Sequence, residues 1–263
     1  MIIDTHIHFG YIAGYKNYAA SLSELLSSMD KLGIGKAINS STRGLMLGDF
    51  MGEAVECVEL YRESGGRIVS YLTYNPRHYE ACDSVIANNY DGLIFRGIKL
   101  HPSFHNVPGD DKQYENIWRL AADKEIVIMA HSWDISLTNP TQEYSYPTRY
   151  EKFLRKFPEV KFIFAHAGGR YNAVLEVIRI AKEFPNVYLD IAGDLHSNGF
   201  IEHIVNELGS RRILFGSDYS MMDQRNMLGV VLGADINIVD KENILHNNAC
   251  ALFELNGGCT HGY

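Results

Sequence analysis

The chain has 263 residues, 46% of them hydrophobic, and carries 24 Lys and Arg against 32 Asp and Glu, a formal charge of −8. That apolar fraction can bury a full core, which excludes wholesale disorder. The acidic balance excludes nucleic acid and an anionic membrane as main partners.

In chain order, short β-branched or aromatic runs alternate with stretches of helical period. Ile2 to His8 reads as a strand. Ser21 to Leu32 places Leu22, Leu25, Leu26 and Met29 at helical spacing and stops at Gly33. Lys36 to Ser40 is a second strand, and Asp49 caps a helix that ends at Gly65-Gly66. Arg67 to Tyr74 is the third strand and Glu80 to Asn88 the next helix. Leu93 to Leu100 is a strand closed by His101-Pro102, followed by a helix over Tyr114 to Lys124 and a strand over Ile126 to His131. Ser132 to Ser145 forms the longest structureless loop, a candidate lid. Pro147 opens a helix carrying Tyr150, Phe153, Leu154 and Phe157. Two Phe-Pro-x-Val segments, at Phe157 and Phe184, then lead into the strands Lys161 to His166 and Val187 to Ile191. A helix over Phe200 to Leu208, a strand over Ile213 to Ser217, and helices over Asp223 to Leu232 and Lys241 to Leu255 complete the chain.

Eight strands, each followed by a helix, in a chain close to the ~250 residues usual for a (β/α)8 TIM barrel, predict that fold as a single α/β domain over residues 1–256. Residues 257–263 read as a C-terminal tail. An open doubly wound sheet would be expected to show a glycine-rich phosphate turn after the first strand, where Phe9-Gly10-Tyr11 stands instead. The N-terminus lacks the basic segment and long apolar run of a signal peptide, and no window reaches 18 uncharged apolar residues, so a soluble, cytoplasmic protein is expected. Cys57, Cys82, Cys250 and Cys259 contain no C-x-x-C pair and are expected as reduced thiols.

Active sites of this barrel lie at the C-terminal ends of the strands. His6 and His8 end the first strand and share a face by its two-residue period. His131 ends the fifth, His166 the sixth and Asp218 the eighth. One strand-end histidine alone is an ordinary hydrogen-bonded residue, and Asp218 alone could be a helix cap. Five such groups at one rim have the composition of an open, catalytic divalent-metal site.

DTHIH, GIKLHP, the histidines of the fifth and sixth strands, FGSD, and Asn248-Ala249 together resemble the amidohydrolase superfamily. Within it they resemble the amidohydrolase-related branch that includes aminocarboxymuconate semialdehyde decarboxylase. The resemblance covers nearly the whole chain. It implies one divalent ion, Zn²⁺ first and Mn²⁺ second, held by His6, His8, His131 and Asp218. His166 would stand beside the metal-activated water, with Asp218 and His166 as the catalytic proton carriers. Whether His166 is a ligand or a base stays open on sequence, and the branch also implies pairing into homodimers.

Lys99 lies near the end of the fourth strand, where binuclear relatives carry a bridging carbamylated lysine. A buried ion pair or a substrate-carboxylate contact are the other readings. Arg43 and Arg170 follow strands two and six and are candidate anchors for a substrate carboxylate. His101 is expected to face away from Lys99 and is left out of the metal set. Aromatic residues after strand one (Phe9, Tyr11, Tyr15) and strand five (Trp133, Tyr144, Tyr146) would either line a pocket or pack the loops. The leading expectation is a metal-dependent hydrolase acting on an ester, lactone or amide of a small molecule. The alternative is non-oxidative decarboxylation of a small cyclic or unsaturated carboxylic acid. A non-catalytic metal- or ligand-binding barrel ranks last.

Overall fold

The structure, a computed structural model, describes residues 1–10, 21–194 and 197–255. The expected tail and the loop residues Tyr11 and Tyr15 therefore lie outside the described residues. The strands are β1 (Ile2–Ile7), β2 (Ile34–Ser40), β3 (Ile68–Thr73), β4 (Phe95–Leu100), β5 (Val127–His131), β6 (Phe162–Ala165), β7 (Val187–Asp190) and β8 (Ile213–Leu214). They pair in parallel and in sequence order from β1 to β8, the expected (β/α)8 barrel. Helices fill the crossovers: α1 (Leu22–Leu32), α2 (Phe50–Glu63), α3 (Tyr79–Asn89), α4 (Pro102–His105), α5 (Glu115–Lys124), α6 (Glu151–Lys156), α7 (Tyr171–Glu183) and α8 (Phe200–Leu208). After β8 come α9 (Gln224–Gly233), α10 (Ile238–Glu242) and α11 (Asn248–Phe253).

Several boundaries have visible causes. Ser21 and Glu24 form a reciprocal capping box at α1, and Gly33 ends it in the left-handed region at φ 70°. The helix expected over Lys241 to Leu255 is α10 and α11 joined by a π-turn at Asn243–Asn247. The loop expected to be structureless contains a 3-10 stretch, Pro140–Ser145. The short α4 was not legible at all, because four residues carry no periodicity.

β8 is shorter than the expected Ile213 to Ser217 because its later donors go elsewhere. Phe215 N–H bonds Ile244 O at 2.9 Å, and Ser217 N–H bonds Asp4 Oδ1 at 3.0 Å. Ser217 Oγ (2.6 Å) and Gln224 Nε2 (3.1 Å) donate to the other Asp4 oxygen. Buried Asp4 thus ties β1 to the end of the barrel, where Thr5 N–H also bonds Phe215 O at 2.9 Å and Asp218 N–H bonds His6 O at 2.9 Å.

The interior is filled, as in other barrels of this kind. Ile3, Ile38, Val69, Val127, Met129, Ile163 and Leu214 pack inside, joined by Leu252 and Phe253 of α11. Ile98, Ile128, Phe162 and Phe164 point outward into the layer between sheet and helices. Cys57 and Cys82 are free and buried; Cys259 lies outside the described residues. Among the described residues, no helix is long and apolar enough to cross a membrane.

Candidate active site

Strand alternation brings some of the expected residues to the mouth, and backbone irregularities bring the others. In β1 the pairing slips between Asp4 and Ile7, so the parity that buries Ile3 inside the barrel is reset before His6 and His8. Lys99 follows Gly97, whose missing Cβ leaves room for the Tyr71 ring inside the barrel. His131 follows the inward Val127 and Met129 by the same period. His166 has the parity of the outward Phe162 and Phe164. It reaches the interior because it takes φ 85°, in the left-handed region that costs a branched side chain strain. Asp218 likewise sits at φ 62°. Gly216 makes room next to it, since a Cβ there would lie 2.9 Å from His6 Cβ.

Three side chains converge on one point. His6 Nε2 and His8 Nε2 are 3.1 Å apart, and Asp218 Oδ1 lies 3.4 Å from the second and 3.8 Å from the first. Two ligands each about 2.1 Å from an ion, at the angles of tetrahedral or octahedral sites, lie about 3.0–3.4 Å apart. The proton inventory supports the same point. His8 Nδ1 bonds the carbonyl of Ser40 at 2.7 Å, so it must donate. His6 Nδ1 donates to Asp190 Oδ2 at 2.8 Å. Both Nε2 atoms of the neutral rings therefore present lone pairs to each other, an arrangement a cation relieves. Asp218 Oδ1 is buried with no hydrogen-bond partner among the described residues, as a free ligand atom would be. The residues present thus fit a single divalent ion.

Asp190 is the functional residue that the sequence reading missed. Its Oδ1 accepts from the backbone N–H groups of His166 (2.8 Å) and Ala192 (3.0 Å), and its Oδ2 orients His6. Its position as an inward carboxylate at the end of β7, the one late strand given no role, was the available signal. His6, His166 and Asp190 form a second triad of ligand atoms within 4.8 Å, but those hydrogen bonds already occupy it.

Burial dominates the electrostatics. It pushes His6, His101 and His131 well below the ordinary imidazole range, and lowers His166 less because Asp218 and Asp190 oppose it. Burial works to raise the Asp218 carboxyl, but the imidazoles of His8, His166 and His6 outweigh it and hold it well below the usual carboxylate range. Lys99 is pushed down to about 8 by burial, against the pull of Asp190 and Asp218.

The remaining candidates fall into place or away from it. Lys99 is buried, and its Nζ hydrogen-bonds His6 Nε2 at 3.0 Å rather than pairing with a carboxylate. His131 is not drawn into the ligand triad: its Nε2 hydrogen-bonds Gln142 Oε1 at 3.0 Å. His101, expected to face away, instead lies in the cavity wall and stacks on His131 at 4.0 Å. Arg43 is half-exposed, paired with Asp49 at 3.0 Å, and borders a separate surface depression with Phe9, Met51 and Val55. It was expected at the site and is not there, because Asp49 at the start of α2 draws it outward. Arg170 is also not in the cavity wall. It forks onto Asp194 at 2.7 and 2.8 Å and lies 4.8 Å over the Trp133 ring. Trp133 fits because Gly169 is there, since a Cβ would come 2.3 Å from the indole.

The site opens into a small cavity of about 60 Å³. Its polar wall is His8, Lys99, His101, His131, His166 and Asp218, and Leu45, Met46, Phe104 and Met221 form the apolar wall. A Cβ on Gly193 would lie 3.2 Å from His166 Nδ1 and 3.8 Å from Asp218 Oδ2, so its absence keeps the space between them clear.

The amidohydrolase family model matches residues 3–255. An uncharacterised TIM-barrel protein from Bordetella bronchiseptica is 18% identical at TM-score 0.77, covering 96% of this chain and 98% of that one. A 2,6-dihydroxybenzoate decarboxylase from Rhizobium is 16% identical at TM-score 0.76, covering 97% and 99%. A dihydroxybenzoic acid decarboxylase from Polaromonas sp. JS666, described with bound manganese and the inhibitor 2-nitroresorcinol, is 17% identical at TM-score 0.74, covering 97% of each chain. No curated protein is similar enough in sequence to match.

Proposed function

The chain belongs to the amidohydrolase family, and from that premise we propose that it is a metal-dependent decarboxylase of a small cyclic or aromatic carboxylic acid. The observation that carries this reading is the His6–His8–Asp218 triad, with its orphaned carboxylate oxygen, at the base of a small cavity whose other wall is apolar. The decarboxylases of similar fold support it over hydrolysis, which the sequence had ranked first. Hydrolysis stays the second reading, favoured by the name of the family.

His6, His8 and Asp218 would hold the ion, with His131 as a fourth donor. Bound there, it would supply Lewis-acid stabilisation of negative charge on the substrate. In the reaction, the bond between ring carbon and carboxylate breaks, its electron pair takes up a proton, and neutral CO₂ leaves. The chain must therefore deliver one proton to carbon and consumes no water. His166 and Asp218, which both line the cavity, are the groups placed for that transfer. His166 Nδ1 faces the Ala192 carbonyl at 3.3 Å and donates to it, which leaves Nε2 to carry the mobile proton. Lys99 contributes positive charge on the carboxylate side, and Leu45, Met46 and Met221 exclude water from the carbon.

The test is a panel of hydroxybenzoates and unsaturated ring acids beside lactones and esters, with protein loaded with Zn²⁺ or Mn²⁺. Decarboxylation releases CO₂, places deuterium from D₂O on the ring carbon, and puts no ¹⁸O from water into product. Ester or lactone turnover with ¹⁸O in the product acid, and no CO₂ from any acid, would overturn it.

A further inference from the structure

His101 has been set in place more firmly than a wall residue requires. Its ring is sandwiched between Phe104 (3.9 Å, 9°) and His131 (4.0 Å, 10°), and Trp133 continues the stack beyond His131 (5.8 Å, 6°). Both faces are thereby covered, and only the ring edge is left to meet the cavity it lines. The residue caps the start of α4, where the Phe104 N–H is shared between the His101 carbonyl at 3.0 Å and its Nδ1 at 3.4 Å. A neutral imidazole that accepts at Nδ1 carries its proton at Nε2. No described residue accepts from that Nε2–H, and the residue lines the cavity at 6% exposure. An accessible donor in a cavity wall is free to meet what enters the cavity. The same proton prevents Nε2 from serving as a metal ligand, and His101 is in neither ligand triad.

We propose that His101 is a substrate-anchoring residue whose Nε2–H donates to a carboxylate oxygen of the acid occupying the cavity. This rests on the carboxylic-acid reading above. Lys99, two residues earlier on the same strand end, supplies charge, whereas His101 supplies direction: a donor locked in tautomer and ring plane selects where the carboxylate lies.

The role separates from mere packing by two complementary variants. His101→Phe keeps a ring in the stack and deletes the donor. His101→Gln deletes the ring and keeps an amide N–H close to the former Nε2. Zn²⁺-loaded protein would be titrated calorimetrically with 2,6-dihydroxybenzoate and with resorcinol, the same ring without carboxylate, and metal content checked for each variant. The donor role predicts that His101→Phe weakens the dihydroxybenzoate by about ten- to a hundredfold, leaves resorcinol within about threefold, and that His101→Gln restores most of the loss. If His101→Phe binds the acid like wild type and His101→Gln does not, the residue is packing and the proposal is overturned. If wild-type protein, fully metallated, binds neither probe, the aromatic-acid reading fails first and the anchoring role falls with it.

Discussion

Asp190→Asn changes one atom and should dismantle the metal site through a hydrogen-bond clash. Asp190 Oδ1 is pinned by two backbone N–H groups, from His166 at 2.8 Å and Ala192 at 3.0 Å. Turning the amide so that its NH₂ faced those donors would leave two buried N–H groups unpaired, at a cost of about 1–3 kcal/mol each. The asparagine oxygen therefore stays there, and its NH₂ replaces the oxygen that faces His6 Nδ1 at 2.8 Å. His6 must then accept at Nδ1, which moves its proton to Nε2, the nitrogen 3.1 Å from His8 Nε2 and aimed at the ion. Loss of an orienting partner alone costs about 10–100-fold in metal affinity, and a proton on the ligand atom puts this variant at the upper end, about a hundredfold or ~2.8 kcal/mol. Competition with a fluorescent chelator for Zn²⁺, starting from apoprotein, measures it, and a thermal melt of the apoprotein confirms that the fold survives. A well-folded variant that keeps its affinity within about threefold would refute the tautomer argument.

Further outcomes follow from the same geometry. His6→Ala, His8→Ala and Asp218→Ala should each abolish stoichiometric Zn²⁺ by elemental analysis. His131→Ala, whose Nε2 starts on Gln142, should lose less. Glu53, buried and bonded to Thr73 Oγ1 at 2.6 Å and Thr73 N–H at 3.0 Å, is pushed up from 4.5 to about 8 by burial. A carboxyl raised above its unfolded value gives a fold most stable below pH 4.5 that loses stability as pH climbs to about 8. Glu53→Gln cannot titrate, so its Tm should rise relative to wild type between pH 5 and 8, by up to several kcal/mol of stability; a constant Tm difference would contradict this. Gly169→Ala, at φ 72° with its new Cβ 2.3 Å from Trp133, should displace the indole from His131 and His166. A destabilisation of about 1–3 kcal/mol and altered tryptophan fluorescence are expected.

Much of the fold was legible because strands and helices advertise themselves through local periods of two and 3.6 residues. Strand ends pointed to all six groups at the mouth; the two-residue period accounts for Lys99 and His131, whereas His6 and His8 needed the slip in the β1 pairing. Parity does not account for the last steps. His166 would face outward by alternation and is turned inward by its positive φ, a conformation no residue pattern announced. Arg43 looked like an anchor from its place after β2, yet the nearer Asp49 captured it. His101 was assigned outward, since the four-residue α4 that folds it back over the cavity is too short to show periodicity.

The sequence by itself therefore determined the barrel, the family, and the nitrogen and oxygen character of the site, with 11 histidines in the chain supplying most of its ligand candidates. Only the tertiary structure showed which of those groups converge on one point and which are held by other residues. The reason lies in sequence separation. Asp190 orients His6 across 184 residues and Ser217 meets Asp4 across 213, contacts that closure of the barrel creates and no local window contains. Ligand type is a property of the residue, but tautomer, orientation and the free valence of a buried oxygen belong to its neighbours.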